Sequence, residues 1–69
     1  MDIPKKIKML EAYTGVKEAE LARRLGTSSQ AFGQRMKTGK FSSADLDNIA
    51  KACGAEFECH FKLPDGTEI

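Results

Sequence analysis

Side chains suited to directed hydrogen bonding are concentrated between residues 27 and 40, which read TSSQAFGQRMKTGK. Hydroxyl groups come first, the amides of Gln30 and Gln34 follow, and cations come last. A glutamine amide donates and accepts at the same time, which matches the pattern that adenine presents in the major groove of DNA. Hydroxyl and lysine side chains suit phosphate oxygens. These residue types therefore predict contacts to double-stranded DNA.

Catalysis and metal binding fit the sequence less well. No nucleophile, base and orienting group can be assembled from it, and the serines stand at helix starts, where capping explains them. Cys53, Cys59 and His60 do not have the number or spacing of ligands that a closed tetrahedral zinc site needs. We therefore expect no enzyme activity, no metal ion and no cofactor. Both cysteines are expected to be small core residues, and His60 a surface residue.

Size and charge narrow the class of protein. The 69 residues leave room for a single domain, which buries roughly 60% of the surface that its unfolded chain exposes. Residues 1–41 carry nine Lys/Arg and four Asp/Glu, whereas residues 42–69 carry two and six. A basic front suits a polyanionic partner, and an acidic rear suits a different contact. Because there is no leader pattern and no apolar run of about 20 residues, we expect a cytoplasmic protein with reduced thiols and no membrane contact.

Four stretches of the chain have apolar residues at helical spacing. They predict helices over about residues 3–13, 18–25, 28–37 and 43–53. Asp2 is predicted to cap the first helix, and glycines to close the helices. Capping boxes are predicted from Thr27 with Gln30 at the third helix, and from Ser42 with Asp45 at the fourth.

The third predicted helix positions the hydrogen-bonding side chains. At 3.6 residues per turn, Phe32 and Met36 face the core, and Gln30, Gln34 and Lys37 face the opposite way. Simpler interpretations of the two glutamines stay open, because Gln30 can serve the capping box alone and Gln34 can be a solvated surface residue.

From residue 55 onward, apolar and polar residues alternate. The apolar face consists of Ala55, Phe57, Cys59, Phe61 and Leu63. The period of two predicts a half-buried strand over residues 55–63, a turn at 64–67 and the start of a return strand at 68–69. Since an unpaired apolar strand invites association, it either covers its own helices or pairs with the same strand of a second chain. In the second arrangement, the dimer interface consists of Phe57, Cys59, Phe61 and Leu63.

Residues 3–54 resemble the DNA-binding domain of phage repressors and Cro proteins, the XRE family. The likeness lies in Leu21-Ala22, Leu25-Gly26-Thr27, Phe32, Gly39-Lys40 and the ending Ile49-Ala50-Lys51-Ala52-Cys53-Gly54. It implies a mainly α, lambda-repressor-like fold of four or five short helices, whose helix-turn-helix places the third helix in the major groove. The sequence adds a C-terminal β-strand or hairpin arm. We therefore expect a helix-turn-helix domain over residues 1–54 and a dimerisation arm over residues 55–69.

Three residues depart from the family pattern. Lys17 stands where the family usually has a Ser or Thr cap, and Glu18 stands where a Gln commonly holds a phosphate. A carboxylate at that position repels phosphate. Arg35 occupies a position that the family normally fills with an apolar residue, and Met36 takes over its packing.

These considerations assign contacts to individual residues. Base contacts are expected from Ser29, Gln30, Gln34 and Arg35. Phosphate contacts are expected from Thr27, Ser28, Lys37, Thr38 and Lys40. The expected function is that of a sequence-specific transcriptional regulator, repressor-like, which binds a palindromic operator as a homodimer. Two alternatives stay open: an antitoxin whose acidic C-terminal part also binds a toxin, and a protein-interaction module that has lost DNA binding.

Overall fold

Four helices account for most of the computed structural model, which describes residues 2–69. They are α1 (Ile3–Thr14), α2 (Glu18–Arg24), α3 (Ser29–Thr38) and α4 (Ser43–Ala52). Each boundary lies within one residue of the range that the sequence predicts. The protein is therefore a small, mainly helical domain. Within the described chain, no helix is both long and apolar enough to cross a membrane.

Local capping explains where two of the helices begin. The Asp2 carboxylate accepts a hydrogen bond from the backbone N–H of Lys5 at 3.2 Å, as predicted. Ser42 and Asp45 form the predicted capping box at the start of α4. The Ser42 N–H donates to the Asp45 carboxylate at 2.8 Å, and the Asp45 N–H donates to the Ser42 hydroxyl at 3.1 Å.

The capping box predicted at the start of α3 is wrong. Ser28 is the N-cap in place of Thr27, and its hydroxyl accepts from the Ala31 N–H at 3.0 Å. The turn out of α2 explains the shift, because the N–H of Thr27 donates to the carbonyl of Ala22 at 3.0 Å. The chain then needs one further residue before α3 can begin. Gln30 consequently has no part in capping.

The core draws on all four helices. Its buried side chains are Ile7, Leu21, Ala22, Phe32, Met36, Ile49, Ala50 and Cys53. Phe41, in the loop between α3 and α4, packs against Phe32 with ring centroids 6.1 Å apart. Cys53 is buried as expected, whereas Cys59 is exposed, which corrects its expected place in the core.

The strand predicted over residues 55–63 is not formed in the described chain. Residues 55–61 contain neither helix nor strand, and a single antiparallel bridge joins Lys62 to Glu68. A strand requires a neighbour for its backbone groups. No residue from 2 to 69 supplies backbone partners to residues 56–60, so the alternating pattern alone does not produce a strand.

The end of the chain folds into a small hairpin. The Phe61 and Ile69 backbones exchange hydrogen bonds of 2.5 and 2.8 Å, and the Leu63 N–H donates to the Thr67 carbonyl at 2.7 Å. The turn lies at the predicted residues, and its Asp65 carboxylate accepts from the Thr67 N–H at 2.9 Å.

Candidate nucleic-acid interface

One side of α3 presents a row of polar side chains to solvent. This α3 row consists of Gln30, Gln34 and Lys37, all of them exposed. On the opposite side, Phe32 is 0% exposed and Met36 is 8% exposed. Because core packing holds the buried side, it also fixes the direction in which the row points.

The two glutamines of the α3 row have unused hydrogen-bonding capacity. The side-chain bonds made by this helix and its N-cap involve Ser28, Arg35 and Thr38. Within residues 2–69, neither glutamine amide takes part in such a bond. Each amide is therefore able to donate and accept toward an external partner.

The hydroxyl residues at the start of α3 differ in availability. Ser29 is exposed in the first turn, where the positive end of the helix dipole favours phosphate. The Ser28 oxygen accepts from Ala31, and its own O–H proton remains available as a donor. Thr27 is half-buried and its N–H is already bonded to Ala22. The Thr27 amide therefore cannot anchor a phosphate in this conformation.

Arg35 lies beside the α3 row and turns toward α4. Its guanidinium donates to the Asp45 carboxylate at 2.6 Å and lies 4.9 Å from the centroid of the Phe41 ring. The bonds from Ser42, and then the charge of Arg35, lower the pKa of Asp45. The expected base contact from Arg35 would require this guanidinium to leave both partners.

The segment after the α3 row is basic and accessible. Lys37, Thr38 and Lys40 are exposed, and the Thr38 hydroxyl donates to the Arg35 carbonyl at 3.1 Å. The ion pairs among residues 2–69 involve other cations. Both lysine ammonium groups thus retain their charge for an anionic partner.

The arginines of α2 form hydrogen bonds within the protein. Glu20 bonds to Arg23 and to Arg24, and these bonds lower its pKa to about 2. Arg24 also donates to the carbonyl of Ala52 at the end of α4, at 2.8 Å. A cation there complements the negative end of the helix dipole. The sequence indicates the dipole pairing within α2, but the bond from Arg24 to α4 is visible only in the structure.

The start of α2 is acidic and only partly solvated. Lys17 is its N-cap and makes no side-chain capping bond. One carboxylate oxygen of Glu11 is buried without a hydrogen-bond partner in the described chain. Burial, and then the charge of nearby Glu18, raise the pKa of Glu11. This end of α2 is therefore unsuited to phosphate, as the departures from the family pattern suggest.

The expected dimerisation residues lie outside the helical core. Phe57 is half-buried and lines a groove of about 510 Å³ between α1, α4 and residues 55–60. Cys59 is exposed, Phe61 is 73% exposed and Leu63 is 39% exposed. The apolar side chains of residues 55–63 are thus partly buried near Phe57 and exposed to solvent from Cys59 onward.

Within residues 2–69, no three side chains of the His, Cys, Asp and Glu types come together to hold a metal ion. Comparisons with protein-family models, with curated proteins and with solved structures returned no match.

Proposed function

We propose that the protein is a repressor-like transcriptional regulator that binds double-stranded DNA through the α3 row. The observation that carries this proposal is the row itself. Gln30, Gln34 and Lys37 are exposed, make no side-chain hydrogen bond or ion pair within residues 2–69, and lie opposite a buried Phe32. The resemblance to the XRE family, drawn from residues 3–54, supports the same function. Together they favour a lambda-repressor-like helix-turn-helix in which α2 and α3 are the paired helices.

The proposed mechanism separates base contacts from phosphate contacts. With α3 in the major groove, Gln30 and Gln34 pair with adenine edges, at about 1–3 kcal/mol of discrimination each. Ser29 contacts a base or phosphate near the start of the helix. The phosphate contacts come from Ser28, Lys37, Thr38 and Lys40, with the hydroxyl of Thr27 beside them. Arg35 reads a base only if DNA displaces Asp45.

A homodimer extends the proposal to an operator. Two copies related by a two-fold axis place their α3 helices about 34 Å apart, which matches successive major grooves on one face of a palindrome. Occupying such a site blocks or steers the polymerase. We place the dimer contact at Phe57, Cys59, Phe61 and Leu63.

Salt dependence provides the test of DNA binding. Phosphate contacts make affinity fall steeply with ionic strength, so binding to a mixed-sequence duplex should weaken by about 100-fold between 50 and 200 mM salt. The measurement is a fluorescence anisotropy titration of the wild-type chain at both concentrations. If no salt-sensitive duplex binding is found, the regulator proposal is wrong.

Two variants test the assignment of individual contacts. Gln34→Ala should lose preference for the selected site and bind mixed-sequence duplex as before, because it removes only a base contact. Lys40→Ala should weaken all duplexes alike and lower the salt slope by about two for the homodimer, because it removes one phosphate contact from each copy. Titrations against sites selected from random duplexes measure both effects. The assignment fails if the two variants behave alike.

The acidic start of α2 favours a second candidate function. Glu11 and Glu18 place carboxylates at a position where they would repel a phosphate. A protein-interaction module that has lost DNA binding would not be impaired by these carboxylates. Such a module would fail the salt test above, so the same titration separates the two functions.

A further inference from the structure

We propose that residues 55–63 of two copies pair antiparallel around a two-fold axis that passes between Cys59 of one copy and Cys59 of the other. This inference rests on the homodimer in the proposed function and adds the register, the axis and the contents of the groove beside α1 and α4. It does not depend on whether the dimer binds DNA.

The hydrogen bonds of the hairpin determine which edge is available. Phe61 directs its N–H and C=O toward Ile69, and Leu63 directs its N–H toward Thr67. Along a strand, successive residues direct these groups to opposite edges. The N–H and C=O of Lys62 therefore face the other edge, and those of residues 56, 58 and 60 do so when the segment continues as a strand. Within residues 2–69, none of these groups has a backbone partner.

Edge geometry restricts the register. Residues that bond across an antiparallel pair must both direct their groups toward the shared edge, so even-numbered residues pair with even-numbered residues. The two-fold axis must then lie where one residue faces its own copy in the partner. With the axis at Cys59, Glu58 faces His60 and Glu56 faces Lys62 of the partner. On the apolar face of the ribbon, Phe57 faces the partner's Phe61.

Charge complementarity selects this register among its neighbours. Opposite charges facing each other across a sheet stabilise it, and like charges destabilise it. An axis at Glu58 would place that carboxylate against its own copy. An axis at His60 would place two imidazoles together and bring Pro64, which lacks an N–H, opposite Glu56. The Cys59 axis places Glu56 against Lys62 as opposite charges, places Glu58 against His60, which can donate a hydrogen bond to the carboxylate, and otherwise places apolar partners face to face.

The same register explains the open groove. Phe57 lines the groove of about 510 Å³, and Phe61 is 73% exposed within its own chain. Directly opposite residues of a two-stranded ribbon lie on the same face. The partner's Phe61, facing Phe57, therefore enters this groove, and the reciprocal contact fills the second groove. The occupant of the groove is a second copy of this chain.

Disulfide cross-linking tests the position of the axis. Cys59 would face its own copy in a pair that is not hydrogen-bonded, with Cα atoms about 4.5 Å apart, inside the range that a disulfide spans. Mild oxidation with diamide, which removes one hydrogen from each thiol, should convert the native dimer into a covalent dimer on a non-reducing gel. Cys59→Ser should abolish this product, because Cys53 is buried.

Matched variants distinguish this register from its neighbours. Cys59→Ser combined with Glu58→Cys or with His60→Cys moves the thiol to the residue before or after position 59, and both of these residues are exposed. With the axis at Cys59, thiols at either position should cross-link about tenfold more slowly or not at all, because their Cα atoms exceed the 7 Å limit. Equal or faster cross-linking at 58 or 60 would overturn the proposed axis.

A mixed pair tests the antiparallel direction. In the Cys59→Ser background, chains carrying Ala55→Cys should cross-link only when mixed with chains carrying Leu63→Cys. Either variant alone holds its thiols about 27 Å apart, at about 3.4 Å per residue. Cross-linking of either variant alone would contradict the arrangement, as would a monomer in sedimentation equilibrium.

Duplex titrations on the same samples keep the two proposals separate. Cross-linking at Cys59 without salt-sensitive duplex binding would overturn the regulator and leave the ribbon standing. Duplex binding by a dimer that does not cross-link at Cys59 would overturn the ribbon and leave the regulator standing.

Discussion

At the scale of single residues, Asp45 makes two sets of contacts, and only one of them can be predicted from the sequence. Its part in the capping box is local, three residues from Ser42, and the sequence predicts it. Its ion pair with Arg35 joins two elements across the α3–α4 loop. Spacing along the chain cannot indicate such a pair, so a side chain expected at a DNA base lies on Phe41 instead.

Glu11 offers a test of stability at the residue scale. Its pKa lies above the ordinary value of 4.5, because one of its oxygens is buried and Glu18 is near. A carboxyl group with a raised folded-state pKa binds its proton more tightly when folded, so its ionisation lowers stability as the pH rises through this range. Glu11→Gln should therefore raise the urea midpoint at pH 7 and leave it unchanged at pH 3.

Asp47, which lies on α4 outside the proposed dimer contact, supplies the control for Glu11. Asp47→Asn removes a carboxylate from an exposed surface pair with Lys51, and such a pair contributes little to stability, so its midpoint should stay near that of the wild type at both pH values. If Glu11→Gln were equally stabilising at pH 3, ionisation would not be the cause.

At the scale of elements, α3 has a buried side that packs in the core and a glycine, Gly33, at its centre, where glycine destabilises a helix relative to alanine. Gly33 has no conformational reason to be glycine, since its φ is not positive. A Cβ built there meets nothing within 4 Å. The chain's own packing therefore does not explain this glycine. Close approach of a bound duplex between Gln30 and Gln34 would explain it.

Gly33→Ala should separate stability from binding. Alanine in a helix interior is favoured over glycine by about 1 kcal/mol, so the free energy of unfolding should increase by about that amount. The added methyl group should meanwhile weaken duplex binding. Urea denaturation and anisotropy titrations measure the two effects. Unchanged binding by a stabilised variant would show that the duplex does not approach this position.

How far the sequence predicts each element depends on how local its cause is. Helix boundaries follow from caps and periodicity, and both act within a few residues. Residues 55–63 have a clear period of two, but a strand also requires a partner backbone, and a sequence pattern does not contain one. For the same reason the α3 row could be predicted, whereas the bond from Arg24 to Ala52 could not.

At the scale of the whole molecule, the apolar side chains divide into a core and an outlying set. The buried core lies in the four helices and at Cys53, whereas Phe61, Leu63 and Ile69 remain exposed on the hairpin and Met9 and Tyr13 remain exposed on α1. A domain of this size has little apolar surface to leave unused. Association of two chains through the hairpin would add its exposed apolar surface to the buried total.

Substitutions in the hairpin region should separate assembly from folding. Phe61→Lys should give a monomer in sedimentation equilibrium that keeps the helical circular dichroism, because the ring is 73% exposed within its own chain. Its urea midpoint should fall only by the stabilisation that association supplies. Phe57→Lys should also give a monomer, with a urea midpoint lower than that of Phe61→Lys, because this ring also packs in the groove beside α1 and α4. An unchanged mass for both variants would show that these rings do not form a dimer contact.

The chain leaves the helical bundle at a fixed point, and this limits how its length can evolve. Arg24 holds the Ala52 carbonyl, and the Ala55 N–H donates to the Ala50 carbonyl at 2.8 Å. In the proposed ribbon the apolar and charged faces alternate beyond that point, so inserting one residue after Gly54 would exchange the apolar face for the charged one. Inserting two would keep the faces and move the segment by about 7 Å. Lineages descended from this chain should therefore gain or lose residues there in pairs.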